Sequence, residues 1–193
     1  MSSLPPIIDI RDDLNRARQE TDQDVTEEFE TVRDRLDAFA DRNRADREGV
    51  LDEIDNELLR IEELLDGEAA RDIRAARNRI HVFRDSLAET DEDFVVVDFG
   101  VRQHEESEGE PRSEREQVLP VGEVTMTATV ANSGEDAEVV PVVTFYDETG
   151  EEIESVRGSA FDLPEGAEEQ VEMETDVPED AAYNAVSAVE ASA

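Results

Sequence analysis

Lysine, cysteine and tryptophan are absent from this chain of 193 residues, and each absence closes off some chemistry. Without cysteine there is no disulfide framework, no thiolate nucleophile and no thiolate metal site. Without lysine the phosphate-cradling motif GxxxxGK[ST] cannot be written, and all 18 basic residues are arginines. Histidine occurs twice, as His81 and His104. A nucleophile needs a base beside it, and neither histidine has the setting of one: His81 lies one position off an apolar helical seam, and His104 lies in a charged loop. Surface or partly packed roles are expected for both. Long apolar runs are missing too, well short of the ~20 residues that cross a bilayer. The opening MSSLPPIIDIRDD turns acidic by Asp9 instead of presenting a basic segment and an apolar run. A soluble, cytoplasmic protein with no membrane span and no cofactor is the expectation.

What is abundant is negative charge. Asp and Glu number 54, and the formal net charge is -36. Hydrophobic residues still make up 37% and recur with clear periods, so the chain is not a disordered acidic tail. A folded protein this acidic repels itself at low ionic strength; in molar salt the Debye length falls to about 3 Å and the repulsion fades. The composition resembles that of proteins from salt-in halophiles such as haloarchaea.

The periodicity is strongest between Ile7 and Phe83. One apolar seam runs Ile10, Leu14, Ala17, Thr21, Val25, Phe29, Val32, Leu36, Phe39, and a second runs Leu51, Ile54, Leu58, Ile61, Leu65, Ala69, Ile73, Ala76, Ile80. Read inward from both ends, the paired residue numbers always sum to 90, from Ile10 with Ile80 to Phe39 with Leu51. Steps of three and four mark a coiled-coil seam, and the runs Ala17–Thr21–Val25–Phe29 and Ile61–Leu65–Ala69–Ile73 interrupt the heptad at mirrored places. The spacing predicts an antiparallel coiled-coil helical hairpin folded near position 45. Its first helix would run from Pro6 to about Asp41 and its second from about Arg47 to Leu87. Gly67 is the obvious place for a break and a three-helix bundle, but the seam keeps its phase there, so a continuous second helix is expected.

Two further groups stand out on this hairpin. Ile8, Val50, Leu59, Leu64 and Val82 fall off the seam and could form a second apolar face for self-association into a dimer or higher homo-oligomer. Arg71, Arg74, Arg77, Arg79 and Arg84, opposed within their stretch only by Asp72, form a local stripe of net charge +4. Such a stripe could contact a phosphate, nucleic acid or acidic partner. The stronger reading pairs it with the acids Asp9, Asp12 and Asp13, which the mirror places opposite. Nucleic acid is not the expected partner, because the rest of the chain repels it and phosphate-driven affinity collapses with salt.

After Glu89 the period changes from 3.6 to 2. Strands are expected at Phe94–Arg102, Glu123–Ala131, Ala137–Asp147, Glu152–Arg157, Phe161–Leu163, Glu168–Thr175 and Tyr183–Ala191, with Pro141 marking an edge or a bulge. The loop 103–116 carries Glu105, Glu106, Glu108 and Glu110, a solvated acidic loop rather than an ordered cation site. Seven short strands over about 100 residues argue for an antiparallel sandwich. The run Val121–Gly134, with Val142–Asp147, Gly150 and Pro164-Glu165-Gly166, resembles the CARDB-like immunoglobulin-type modules of archaea and bacteria. That resemblance implies the fold and little about function; such modules are often exported, and the opening of this chain departs from that. Gly67-Glu68-Ala69-Ala70 and Ala75-Ala76-Arg77-Asn78-Arg79-Ile80 resemble small uncharacterised helical proteins of haloarchaea.

The fold class read from the sequence is therefore α+β, with a helical hairpin over 1–90 followed by an immunoglobulin-like β-sandwich over 94–193. The expected role is non-enzymatic: a structural or adaptor protein that mediates protein–protein interaction or self-assembly in a high-salt cytoplasm. The alternatives are a regulator that engages an anionic partner through the arginine stripe and a surface-associated adhesion-type module.

Overall fold

The computed structural model describes residues 6–40, 44–103 and 119–191. Over the described residues it is α+β, with four α-helices followed by seven strands in antiparallel sheets. The chain divides into two compact units, Met1–Arg84 and Asp85–Ala193.

In the first unit the helices are α1 (Arg11–Gln19), α2 (Thr26–Ala40), α3 (Arg44–Leu64) and α4 (Gly67–Glu89). The seam is its core: Ile10, Leu14, Val25, Phe29, Leu36, Leu51, Ile61, Leu65, Ile73 and Ile80 are all buried. Thr21 is only half-buried. The two long helices expected from the periodicity are both broken, the first over residues 20–25 and the second at Leu65-Asp66. These are the two places where the seam advances by three successive steps of four residues. At 3.6 residues per turn, three such steps swing an apolar stripe by about 120° around its helix. A continuous helix would carry the seam away from whatever it packs against; a break resets the phase.

Local chemistry makes each break. At the first, the Thr21 hydroxyl accepts a hydrogen bond from the Gln23 amide (3.1 Å) and the Asp24 carboxylate accepts one from the Thr26 amide (3.3 Å). Such local bonds compete with the helical ladder. At the second, Gly67 adopts φ of +64°, a left-handed conformation that glycine reaches without steric cost.

Each helix is tied to two others by polar contacts. Arg11 to Asp37 and Arg33 to Asn15 join α1 to α2. Arg35 to Glu53 and Glu57 joins α2 to α3. Arg84 to Asp52, Arg77 to Asp55 and Arg74 to Glu62 join α3 to α4, while Arg79 to Asp13 and Arg16 to Asp72 join α4 to α1. In the pairs α1–α2, α3–α4 and α4–α1 the tied residue numbers climb on one helix and fall on the other, so these neighbours run antiparallel. Phe39 meets Phe83 edge to face, with ring centroids 5.9 Å apart, which links α2 to α4. Instead of two long rods, the seam closes within one chain as four short helices.

In the second unit β1 (Phe94–Gln103), β2 (Gly122–Asn132) and β6 (Glu168–Val177) form one sheet in the order β1-β2-β6. The other sheet centres on β3 (Ala137–Tyr146), with β7 (Tyr183–Glu190) along one side. Along its other side run first β5 (Phe161–Leu163) and then β4 (Glu152–Arg157). Val124, Met126 and Met173 of the first sheet share a core with Val143, Phe145 and Val186 of the second. Alternation places them there: β2 buries Val124, Met126, Ala128 and Val130 and turns Thr125, Thr127 and Thr129 outward.

Pro141 does not mark an edge. It lies mid-way along the central strand, β3. There β5 has stopped pairing at Val139 and β4 has not begun until Val142, so no ladder partner waits for the missing amide hydrogen. The Pro141 carbonyl on that side accepts from the Gly158 amide at 2.8 Å. A methyl group on Gly158 would stand 2.7 Å from both the Pro141 ring and the Met173 sulfur. Gly158→Ala is therefore expected to cost about 1–3 kcal/mol through overpacking, seen as a lower midpoint in thermal unfolding followed by strand circular dichroism in molar KCl; an unchanged midpoint would contradict this packing.

Candidate functional site

The arginine stripe and three of the off-seam apolar residues, Val50, Leu59 and Leu64, lie on the α3–α4 hairpin. Its central tie is Arg77, whose side chain lies largely under cover. It donates from Nε to Asp55 Oδ1 at 3.0 Å and from Nη1 to Glu62 Oε2 at 2.9 Å. Arg74 takes the other oxygen of Glu62 at 2.8 Å, and His81 Nε2 shares Asp55 Oδ1 at 2.9 Å. Arg84 reaches Asp52 at 3.1 Å. Arg71 pairs with Glu68 one turn earlier on its own helix. Arg79 turns the other way: it donates to the Ile7 carbonyl at 2.7 Å and to Asp13 at 2.8 Å, with Arg16 on the same carboxylate. Asp13 thus does lie opposite the stripe, as the mirror predicts. The other acids engaging the stripe between helices, Asp52, Asp55 and Glu62, come from α3.

Burial and ion pairing compete at these carboxylates. At Asp55 burial pushes the carboxyl up, but the hydrogen bond from Arg77, with His81 and the Arg77 charge, outweighs it and holds the group below its ordinary value. Glu62 is likewise held down, by Arg77 and Arg74 against the same desolvation. Asp13, almost wholly enclosed, goes the other way: burial wins over Arg79 and Arg16 and raises it.

Beside this network, at the α3–α4 turn, lies an open depression of about 410 Å³ whose walls include Leu59, Glu62, Gly67, Ala70, Arg71 and Arg74. Leu59 is 38% exposed and Leu64, five residues on, is 46% exposed. Ile8 and Val82 do not join them. Both are buried and belong to the core, so the second apolar face expected from the sequence shrinks to Leu59, Leu64 and the half-buried Val50. Among the described residues no group of three or more His, Asp or Glu is placed to hold a metal ion. His104 and the acidic loop Glu105–Glu110 lie outside the described residues.

In the second unit Tyr146 is enclosed on β3. Burial, together with the carboxylates of Glu89, Asp85 and Glu152, pushes its hydroxyl up to about 12. Glu89 is raised by burial and by the charges of Glu152 and Asp85. This group holds a neutral phenol among acids, with the Thr144 side chain hydrogen-bonded to it.

The hubs Asp55 and Glu62 were not separable in the sequence from the other acids. Only the second antiparallel register, pairing residue 52 with 84 and 62 with 74, singles them out.

Residues 7–86 match the model of a family of unknown function (DUF7553). No curated protein matches the chain. Among solved structures, the Pseudomonas fluorescens alkylpurine DNA glycosylase AlkC bound to DNA containing an abasic site analog is similar at 14% identity and a TM-score of 0.30. The likeness covers 73% of this chain and 43% of that one, so this chain spans less than half the length of that enzyme chain. Similarity at that level carries no argument about fold or activity. No described helix is long and apolar enough to cross a membrane.

The lowered Asp55 and Glu62 give the helical unit a pH dependence with a defined sign. Their contribution is present above the unfolded values of 3.8 and 4.5 and is lost as the pH falls through the lower folded values. Arg77→Met should cost about 1–2 kcal/mol near neutral pH, since these pairs are partly exposed, and should flatten the acid limb of stability measured by helical circular dichroism at constant salt. An acid limb as steep in the variant as in the parent would contradict this network.

Proposed function

We propose that this protein is a non-enzymatic adaptor that binds other proteins in a high-salt cytoplasm. One observation carries the reading: each stripe arginine is engaged by a carboxylate of its own unit. An arginine held this way must leave its carboxylate, or share itself, before it can serve a phosphate. That weighs against the regulator reading. The exposed Leu59 and Leu64, and a sheet edge at β6 that no described strand pairs, suit protein contact instead.

We read the second unit as an immunoglobulin-like sandwich. Its three-plus-four antiparallel arrangement and common core support that reading, and a scaffold of this kind offers edges rather than chemistry. The first unit is read as coiled-coil-like packing folded back on itself, on the strength of its buried three-and-four seam. Self-association through Leu59 and Leu64 is a further form of the same role.

Capture of partners by the tagged full chain from a lysate held at molar KCl, with and without nuclease, tests the adaptor role. Stoichiometric protein partners that survive nuclease are expected. Capture that nuclease abolishes would favour the regulator, and recovery only from membranes or medium would favour the adhesion module; either would overturn the adaptor.

A further inference from the structure

The strand edges of the second unit are not equivalent. β1 is irregular, its ladder with β2 interrupted by a bulge between Val96 and Asp98. The outer side of β7 is partly covered: the Asp91 amide donates to the Ala188 carbonyl at 3.1 Å, and Asp91 Oδ2 accepts from the Glu190 amide at 2.6 Å. β4 is six residues long and bulged against β3. β6 is different. It holds an unbroken register with β2 from Glu168 to Val177, and among the described residues no further strand pairs with it.

The alternation of that ladder says which groups face outward. The Asn132 amide donates to the Ala167 carbonyl at 2.9 Å, so residue 167 points its backbone at β2. By the alternation of an antiparallel ladder, residues 169, 171, 173 and 175 do the same. The backbone amides and carbonyls of Glu168, Gln170, Glu172, Glu174 and Asp176 therefore point away from β2. The side chains of those five residues are exposed on the outer face of the sheet, whereas Met173 and Val177 are buried.

A long, flat, unpaired edge is a template for another strand, and proteins commonly blunt such edges with charge. Here the charge has one sign only. β6 carries Glu168, Glu169, Glu172, Glu174 and Asp176 and no basic residue, within a unit (residues 85–193) of 31 acids and 4 arginines. A second copy of β6 would set these carboxylates against themselves, which is unfavourable for directly opposed strands. A basic strand would meet complementary charge. The molecule holds an example of that contact: Arg102 of β1 reaches across β2 to Glu172 at 2.7 Å.

We propose that the open edge of β6 accepts, by strand addition, an extended segment of a partner protein bearing arginine or lysine at alternate positions. Backbone hydrogen bonds to Gln170 and Glu172 set the register, and the carboxylate row selects basic side chains. This rests on the adaptor reading and names a surface and a partner chemistry for it.

Bulk charge would attract any cation to this protein, so the test separates pairing from charge. The probe is a synthetic peptide as long as β6 that alternates arginine and threonine. Titration is made at the lowest KCl at which circular dichroism shows the full chain folded. One-to-one binding that weakens with salt is expected. Gln170→Pro removes one outward amide while leaving every carboxylate, and an edge strand tolerates proline there; it should weaken binding at least about tenfold. An equally charged peptide alternating arginine and proline cannot pair and should fail on the parent protein, a control that does not depend on the variant folding. Absence of binding, equal affinity for the two peptides, or undiminished affinity in a folded Gln170→Pro would overturn the proposal. A folded Gln170→Pro that still captures the natural partners from lysate would end the role of this edge and leave the adaptor role standing.

Discussion

An apolar stripe on a helix can stay buried only while it faces its partners, and this constraint shapes the helical unit. Alternating steps of three and four keep a stripe nearly aligned with the helix axis. Repeated steps of four rotate it away. The chain meets that rotation by ending the helix and starting another, once where Thr21 and Asp24 bond to neighbouring amides and once at the left-handed Gly67. The seam residues on both sides of each break then return to one core.

Charge follows from this architecture. Residues 1–84 carry 23 acids and 14 arginines, and residues 85–193 carry 31 acids and 4 arginines. Arginine is concentrated where helices must be tied together, and its forked guanidinium can hold two carboxylates at once, as Arg77 holds Asp55 and Glu62. In the strand unit the core is closed by alternation alone, and the carboxylates are left on outward faces. A stripe that looks like a cation patch along the sequence is therefore one side of a set of ion pairs, partly covered at Arg77 and Arg79 and exposed at Arg71 and Arg74.

The seam was legible because a helical period repeats many times, and the mirror about position 45 survives in Arg79 with Asp13 and Arg35 with Glu57. The two further registers, α1 against α2 seen in Arg11 with Asp37 and α3 against α4 seen in Arg84 with Asp52, were not legible, since acids and arginines are too common here for any one pair to stand out. Ile8 and Val82 looked like outer residues because a hairpin has an outside at those positions; a four-helix core does not. In the strand unit the alternation of β2 marked its buried face. Pro141 reads as an edge or bulge along the sequence because the hand-over from β5 to β4, which leaves its missing amide hydrogen without a ladder partner, is set by distant strands. The open edge of β6 depends on which strands lie beside it, and no local pattern carries that.

The folding back of the helices can be measured directly, because a chain without cysteine accepts spin labels only where they are placed. Labels at Arg11→Cys and Asp37→Cys would sit about 39 Å apart along one continuous helix at 1.5 Å per residue. In the folded-back unit the two side chains they replace are in contact at 2.7 Å. Pulsed dipolar spectroscopy in molar KCl should give a short separation, below roughly 20 Å after allowing for the label arms and helix spacing; a distribution centred near the length of a continuous helix would contradict the account.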